Sequence, residues 1–150
     1  MIQLGHTLGY KVYANGLNED QKKEILESSR FVNREYLFDI FWYKEVENEF
    51  HITETVTLVG ESELGDRRKG DFSKLKNPAV KFDFQKLLVA NAELRLLIFK
   101  VKNESELNDL NKYFDKAIVA YKLLQKGSIL LFACFNHEKK ELLYCEKVKT

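Results

Sequence analysis

The sequence predicts an α/β protein with a mixed central sheet flanked by helices. Segments with the apolar alternation or the continuous apolar runs of strands lie between segments with helical spacing of apolar residues. In chain order they read helix, strand, strand, helix, strand, helix, strand, strand. This order is typical of a sheet that packs against helices. A chain of 150 residues is long enough for one domain, residues 1–150, with its own core.

The first half of the chain predicts one helix and two paired strands. Asn18 and Gln21 have the spacing of a capping box, which favours a helix from about Asn18 to Phe31. One strand surrounds Asp39, and a second runs from about Phe50 to Leu64. Because only a short polar, acidic turn separates them, the two strands are expected to pair antiparallel.

The second half predicts two helices and three strands. Pro78 suits the first turn of a helix, and the apolar positions that should face the core from this helix are Val80, Phe84, Leu87 and Leu88. A continuous apolar run predicts a buried strand over Leu94–Val101. A clean apolar stripe predicts a helix over Ser105–Gln125. The chain then closes as a hairpin, with strands over Ile129–Phe135 and Glu141–Val148.

Composition limits the classes of function. The formal net charge is +1, so the chain as a whole is not a polycation. No apolar run approaches the length of a bilayer span, and the first residues lack the pattern of a secretory signal. We therefore expect a cytoplasmic protein with no membrane partner. Cys134 and Cys145 are expected to be buried free thiols, although they could face each other across the hairpin.

Three carboxylates in the two first-half strands are the main candidates for a site. Asp39 lies in the first strand, and Glu61 and Glu63 lie at the end of the second. Strand side chains alternate, so Glu61 and Glu63 should point the same way, roughly 7 Å apart. Acids in apolar strands need compensation, and a divalent cation is one form of it. The alternative is that these acids lie on a solvated face or at frayed strand ends.

A basic segment follows these acids. Seven basic residues against three acidic ones lie between Asp66 and Lys86, beginning with Arg67, Arg68 and Lys69. Such a segment suits the phosphates of a nucleic acid. A solvated polar loop is the other interpretation, and composition does not separate the two.

Asp39, the Glu61-Ser62-Glu63 strand end and the helix around Phe82-Asp83-Phe84-Gln85-Lys86 together resemble the PD-(D/E)XK nucleases. The resemblance covers about Glu35 to Val101 and implies a restriction-endonuclease-like fold. In that family an Asp and a following Glu or Asp hold Mg²⁺, and a Lys two residues further on positions or activates the attacking water. Phe38 stands where the family usually has proline, and Glu63 stands where it usually has lysine.

The resemblance implies a role for each residue. Asp39, Glu61 and Glu63 would hold Mg²⁺ or Mn²⁺, with Glu63 alternatively acting as a general base. Lys86 on the neighbouring helix is a candidate for the lysine role, and Gln85 lies beside it. With Arg67, Arg68 and Lys69, Gln85 would contact nucleic acid. Lys86 is otherwise a solvated cation or the ion-pair partner of Asp83 or Glu61.

Three functions follow from these observations. The first is a metal-dependent phosphodiesterase, an endonuclease that acts on DNA through a Mg²⁺-activated water. The second is a catalytically inert nuclease-fold module that binds nucleic acid or a protein partner. The third is an unrelated α/β interaction protein. A sequence-specific enzyme of this size would need to dimerise, so a homodimer is a further candidate partner.

Overall fold

The structure is a computed structural model that describes residues 1–18, 20–21, 37–49, 52–65 and 76–150. Its helices and strands, in chain order, are α1 (Ile2–Thr7), β1 (Lys11–Ala14), β2 (Ile40–Glu45), β3 (Thr53–Glu63), α2 (Pro78–Val89), β4 (Leu94–Val101), α3 (Glu104–Ala120), β5 (Ile129–Asn136) and β6 (Glu141–Val148).

The fold class is α/β, with a mixed sheet and helices packed against its strands. The strand order is β1-β2-β3-β4-β5-β6. β1, β2 and β3 pair antiparallel, β4 and β5 pair parallel, and β5 and β6 pair antiparallel. The chain divides into two compact units, residues 1–60 with 91–93, and residues 61–90 with 94–150.

The first unit is built on the β1-β2-β3 meander. Trp42 and Tyr43 on β2 are buried, as are Leu58 and Val59 on β3. Helix α1 packs closely here, because a Cβ atom added at Gly5 would lie 2.6 Å from Cγ2 of Val12 and 2.9 Å from Cε2 of Trp42. A larger residue at position 5 would therefore separate the helix from the strands.

The second unit has an aromatic core between its helices and the β4-β5 pair. Phe114 on α3 is fully buried, and its ring centroid lies 4.5 Å from Phe84 on α2 and 4.8 Å from Phe132 on β5. Phe99 on β4 meets the same ring edge-on at 5.7 Å. The predicted apolar positions of α2 are all buried, namely Val80, Phe84, Leu87 and Leu88.

Several predicted elements are confirmed. The strand over Leu94–Val101, the helix that begins at Pro78, the antiparallel β2-β3 pair and the C-terminal hairpin are present. Of the predicted helix from Asn18 to Phe31, only Asn18, Asp20 and Gln21 are among the described residues. Its capping box is present, because Gln21 N donates to Asn18 Oδ1 and Asn18 N donates to Gln21 Oε1.

Two predicted boundaries were wrong. Asp39 is not inside a strand, because β2 begins at Ile40 and Asp39 lies in the bend before it. The third helix ends at Ala120 and not at Gln125, because the backbone of Tyr121 is extended. Leu124 is buried all the same. The apolar spacing of Leu124 correctly predicted that its side chain is buried, but wrongly predicted that it lies in the helix.

The two cysteines differ in environment. Both are free thiols, and Cys134 is buried as predicted, but Cys145 is exposed. The register sets Cys134 opposite Leu143 and Cys145 opposite Phe132, so the two do not face each other. Cys145 lies on the outer strand, where one side of the backbone has no strand beside it among the described residues.

This difference predicts unequal reactivity of the thiols. Burial, reinforced by the negative charge of Glu106, raises the pKa of Cys134 to about 11. Iodoacetamide at pH 8 should therefore alkylate Cys145 and spare Cys134 until the protein unfolds, which peptide mass spectrometry measures. The raised pKa also means that this thiol contributes to stability below the pKa of the unfolded chain and loses that contribution as the pH rises toward 11. Equal labelling of both cysteines in the folded protein would contradict the prediction.

Among the described residues, no helix combines the length and the apolar character that are needed to cross a bilayer.

Candidate functional site

A buried cluster of charged side chains joins β3 to α2 in the second unit. Lys86 Nζ lies 2.5 Å from Glu61 Oε1 and 4.0 Å from Asp83 Oδ1. Glu61 is only 2% exposed and Asp83 is 6% exposed. The amine of Lys86 therefore bridges two buried carboxylates, one from each element.

The local sequence explains this arrangement. On β3 the side chain of Glu61 points inward and that of Ser62 outward, as strand alternation requires. On α2 Asp83 and Lys86 are three residues apart and share one face of the helix. Burying these carboxylates is costly without an ionic partner, and Lys86 supplies a charged contact to both.

Arg95 holds the end of the helix that carries this cluster. It is buried on β4, and its Nε and Nη2 donate to the carbonyl oxygens of Leu87 and Ala90 at 3.1 and 2.7 Å. A cation at a helix C-terminus is favourable because the last carbonyls are otherwise without partners. Desolvation by burial lowers the pKa of the Arg95 guanidinium. Through its two hydrogen bonds, Arg95 links the C-terminal end of α2 to β4.

Glu63, two residues beyond Glu61, opens onto a cleft of the second unit. The cleft has a volume of about 290 Å³. Its charged and polar lining residues are Glu63, Asn77, Lys100, Lys102, Glu106 and His137. The two carboxylates are each tied to backbone, since Glu63 Oε1 accepts from Gly65 N and Glu106 Oε2 accepts from Lys102 N. Lys100 and Lys102 line the same cleft and are exposed residues.

This cleft lies at the carboxyl ends of two parallel strands. Beyond the β4-β5 ladder, His137 N donates to Val101 O and Glu138 N donates to Lys102 O. Ligands of open α/β sheets bind outside the carboxyl ends of such strands, where backbone and side-chain polar groups meet. The two lysines of the cleft can pair with anionic groups, and the two carboxylates, Glu63 and Glu106, balance their charge.

Asp39 directly precedes Ile40, which pairs with Gly60, the residue before Glu61. The other predicted site residues lie on α2 or outside the described residues. Asp39 belongs to the first unit, whereas Glu61, Glu63 and Lys86 belong to the second. The carbonyl oxygen of Asp39 accepts from Asn15 N at 2.9 Å. Gln85 Nε2 donates to the Tyr113 hydroxyl at 2.7 Å. The predicted nucleic-acid contacts Arg67, Arg68 and Lys69 lie outside the described residues.

The charged cluster contains carboxylate oxygens, the ligand type that Mg²⁺ and Mn²⁺ prefer, and the ammonium of Lys86 contacts both carboxylates. Glu61 and Asp83 offer hard carboxylate oxygens, and Mg²⁺ commonly takes one or two carboxylates and completes its coordination with water and substrate phosphate. Across the described residues, no group of three or more His, Cys, Asp and Glu side chains is arranged to hold a metal ion. The three-carboxylate set of Asp39, Glu61 and Glu63 stays a prediction.

Sequence reasoning missed the burial of Asp83 and the cleft residues Lys100, Lys102, Glu106 and His137. Asp83 carried a usable signal, because it stands three residues after Val80 and four before Leu87, within the apolar stripe of α2. An acid in that stripe must be buried beside a partner. The cleft residues carried no such signal, since they converge only through the pairing of β4 with β5.

Comparison with known proteins found no match to this chain. No protein-family model, no curated protein and no solved structure matches this chain.

Proposed function

We propose that this protein is a metal-dependent phosphodiesterase with a restriction-endonuclease-like fold, acting on DNA. The observation that carries the proposal is the contact between Lys86 on α2 and Glu61 on β3 at 2.5 Å. It brings a helix lysine to the strand acid in a chain that has Glu63 where the nuclease family usually has lysine. This is the arrangement expected if the lysine role has moved to the helix.

Each residue of the candidate site has a proposed role in this reaction. Glu61, with Asp39 and Glu63, would hold Mg²⁺, which when bound supplies a hydroxide-like nucleophile and offsets charge on the phosphate. The ammonium of Lys86 orients the attacking water or offsets developing negative charge. Glu63 accepts a proton if it is not a ligand. Lys100 and Lys102, at the cleft that Glu63 lines, contact the phosphate backbone.

The experiment that tests the proposal is cleavage of plasmid and oligonucleotide DNA with Mg²⁺ or Mn²⁺. The native chain should cut, and chelation of the metal should stop it. Glu61→Gln should remove this activity. Failure of the native chain to cut any DNA or RNA, over a range of metals and salt, would reject the phosphodiesterase.

A second candidate is a catalytically inert nuclease-fold module that binds nucleic acid. The observation that favours it is the burial of Glu61, which is 2% exposed and in ionic contact with Lys86. In this alternative the cluster serves only to stabilise the packing of α2 on β3. The cleft lined by Lys100 and Lys102 would then bind the phosphate backbone without cutting it.

Both candidates predict that Lys100 and Lys102 contribute salt-dependent affinity for DNA. Replacing both by alanine should reduce the slope of log affinity against log salt by about one unit for each phosphate that a lysine no longer neutralises. Fluorescence anisotropy with a labelled duplex across salt concentrations measures this slope. The matched control is Lys122→Ala with Lys126→Ala, two exposed lysines outside the cleft lining. An equal reduction in both double variants would mean that the cleft is not the binding surface.

A further inference from the structure

Strand β6 has the properties of an association edge. It ends the strand order, and within the part of the chain that the structure describes no strand pairs with its outer side. It pairs with β5 residue for residue over its whole length, without a bulge. It also contains no proline. Bulges and prolines are among the devices by which proteins protect such edges from pairing with another chain.

One face of β6 is largely apolar and exposed. Leu142, Tyr144 and Val148 lie on this face, with Glu146 between the last two, and are 51%, 74% and 46% exposed. Phe135 on β5, opposite Leu142 in the register, extends the same exposed row. Large apolar side chains clustered at an edge that has neither a bulge nor a proline indicate an interaction surface.

The charges on the other face of β6 differ between its two ends. Glu141 begins the strand, Lys147 stands near its end and Lys149 follows. The two lysines are held in position, since Lys147 Nζ lies 2.6 Å from Asp115 Oδ1 and Lys149 Nζ donates to the Ile118 carbonyl at 2.6 Å. Glu141 lies 3.9 Å from Lys139. An acidic start and a basic end complement a second copy of the strand only when that copy runs antiparallel.

We propose that β6 is a homodimer interface, in which it pairs antiparallel with β6 of a second copy about a two-fold axis near Tyr144 and Cys145. A two-fold interface requires a self-complementary surface. The antiparallel arrangement sets Glu141 of one copy beside the basic end of the other. It also joins the two exposed apolar rows into one strip. This inference does not depend on the proposed catalytic function.

The first test is the mass of the protein in solution. Sedimentation velocity and light scattering of the native chain should give twice 17.6 kDa. The double variant Leu142→Lys and Tyr144→Lys should dissociate, with Kd rising by about 100-fold or more, because like charges would meet across the axis. The control is Leu123→Lys, at a residue that is 80% exposed and is not part of β6. A monomeric native chain, or a dimer unaffected by the double variant, would overturn the proposal.

The second test uses the exposed Cys145 as a reporter of the axis. A short bismaleimide should join two native chains through their Cys145 thiols, since these lie close together in the antiparallel arrangement. Cys145→Ser should abolish the cross-link, whereas Cys134→Ser should leave it, because Cys134 is buried. Circular dichroism of both variants checks the fold. A dimer that does not cross-link through Cys145 would overturn this interface.

Discussion

Glu61→Gln is expected to abolish metal-dependent DNA cleavage, with a loss of about 10³-fold or more in kcat. An amide has nearly the shape of the carboxylate but lacks the negative charge that would hold the ion. Loss of metal assistance costs several kcal/mol of transition-state stabilisation, and each 1.36 kcal/mol is about tenfold in rate. The measurement is single-turnover cleavage of a labelled duplex with Mg²⁺ or Mn²⁺.

Two further variants separate the roles within the same cluster. Lys86→Ala should cost less, on the order of 10²–10³-fold, because it removes one electrostatic contact. Glu63→Lys restores the usual residue of the nuclease family at that position. It should preserve activity if Glu63 only occupies the place of the lysine, and should abolish activity if Glu63 is a ligand.

A metal-binding measurement, combined with thermal melting, distinguishes loss of metal binding from loss of the fold in these variants. Isothermal titration with Mn²⁺ should show binding to the native chain and much weaker binding to Glu61→Gln and Asp39→Ala. Thermal melting should show that both variants fold. If Glu61→Gln folds and cuts at the native rate, Glu61 is not a catalytic residue and the proposed site is wrong.

The largest expected effect on stability is that of Phe114→Ala, which should lower the free energy of unfolding by about 3–5 kcal/mol. The ring is fully buried among Phe84, Phe99 and Phe132. Its removal forfeits the transfer free energy of the side chain and leaves a cavity that a rigid core fills only in part. Urea unfolding followed by circular dichroism gives the change.

The control for this prediction is Phe82→Ala. Phe82 lies on the neighbouring helix α2 and is 52% exposed. The same chemical change there should cost well under half as much, since less apolar surface returns to water. Similar losses in the two variants would show that the aromatic cluster does not carry the stability of the second unit.

The periodicity of apolar residues and the residues typical of turns were enough to predict much of the secondary structure from the sequence alone. The apolar run over Leu94–Val101 predicted β4, and Pro78 marked the first turn of α2. The acidic turn predicted the antiparallel pairing of β2 with β3. These features are local, so a single chain segment contains the information that specifies them.

Boundaries were less predictable because they depend on conformations that apolar spacing does not report. Leu124 continues the apolar stripe of α3 and is buried, yet the helix ends at Ala120. Asp39 continues the strand pattern but lies in the bend before β2. For Leu124 the residue type correctly predicted burial, whereas in both cases the pattern of residues did not predict the backbone conformation.

The same distinction between local sequence pattern and tertiary contact applies to the candidate site. Glu61, Glu63 and Lys86 were identifiable from the sequence, because acids at the end of an apolar strand and a lysine on the next helix are visible as a pattern. The ion pair of Lys86 with Asp83 or Glu61 was one of the alternatives that the sequence offered, and the tertiary structure shows contacts with both. Tertiary structure alone decided that Glu61 is buried and that Glu63 opens onto a cleft with Lys100 and Lys102. The physical reason is that ion pairs and clefts depend on contacts between elements distant in sequence, and spacing along one element carries no information about them.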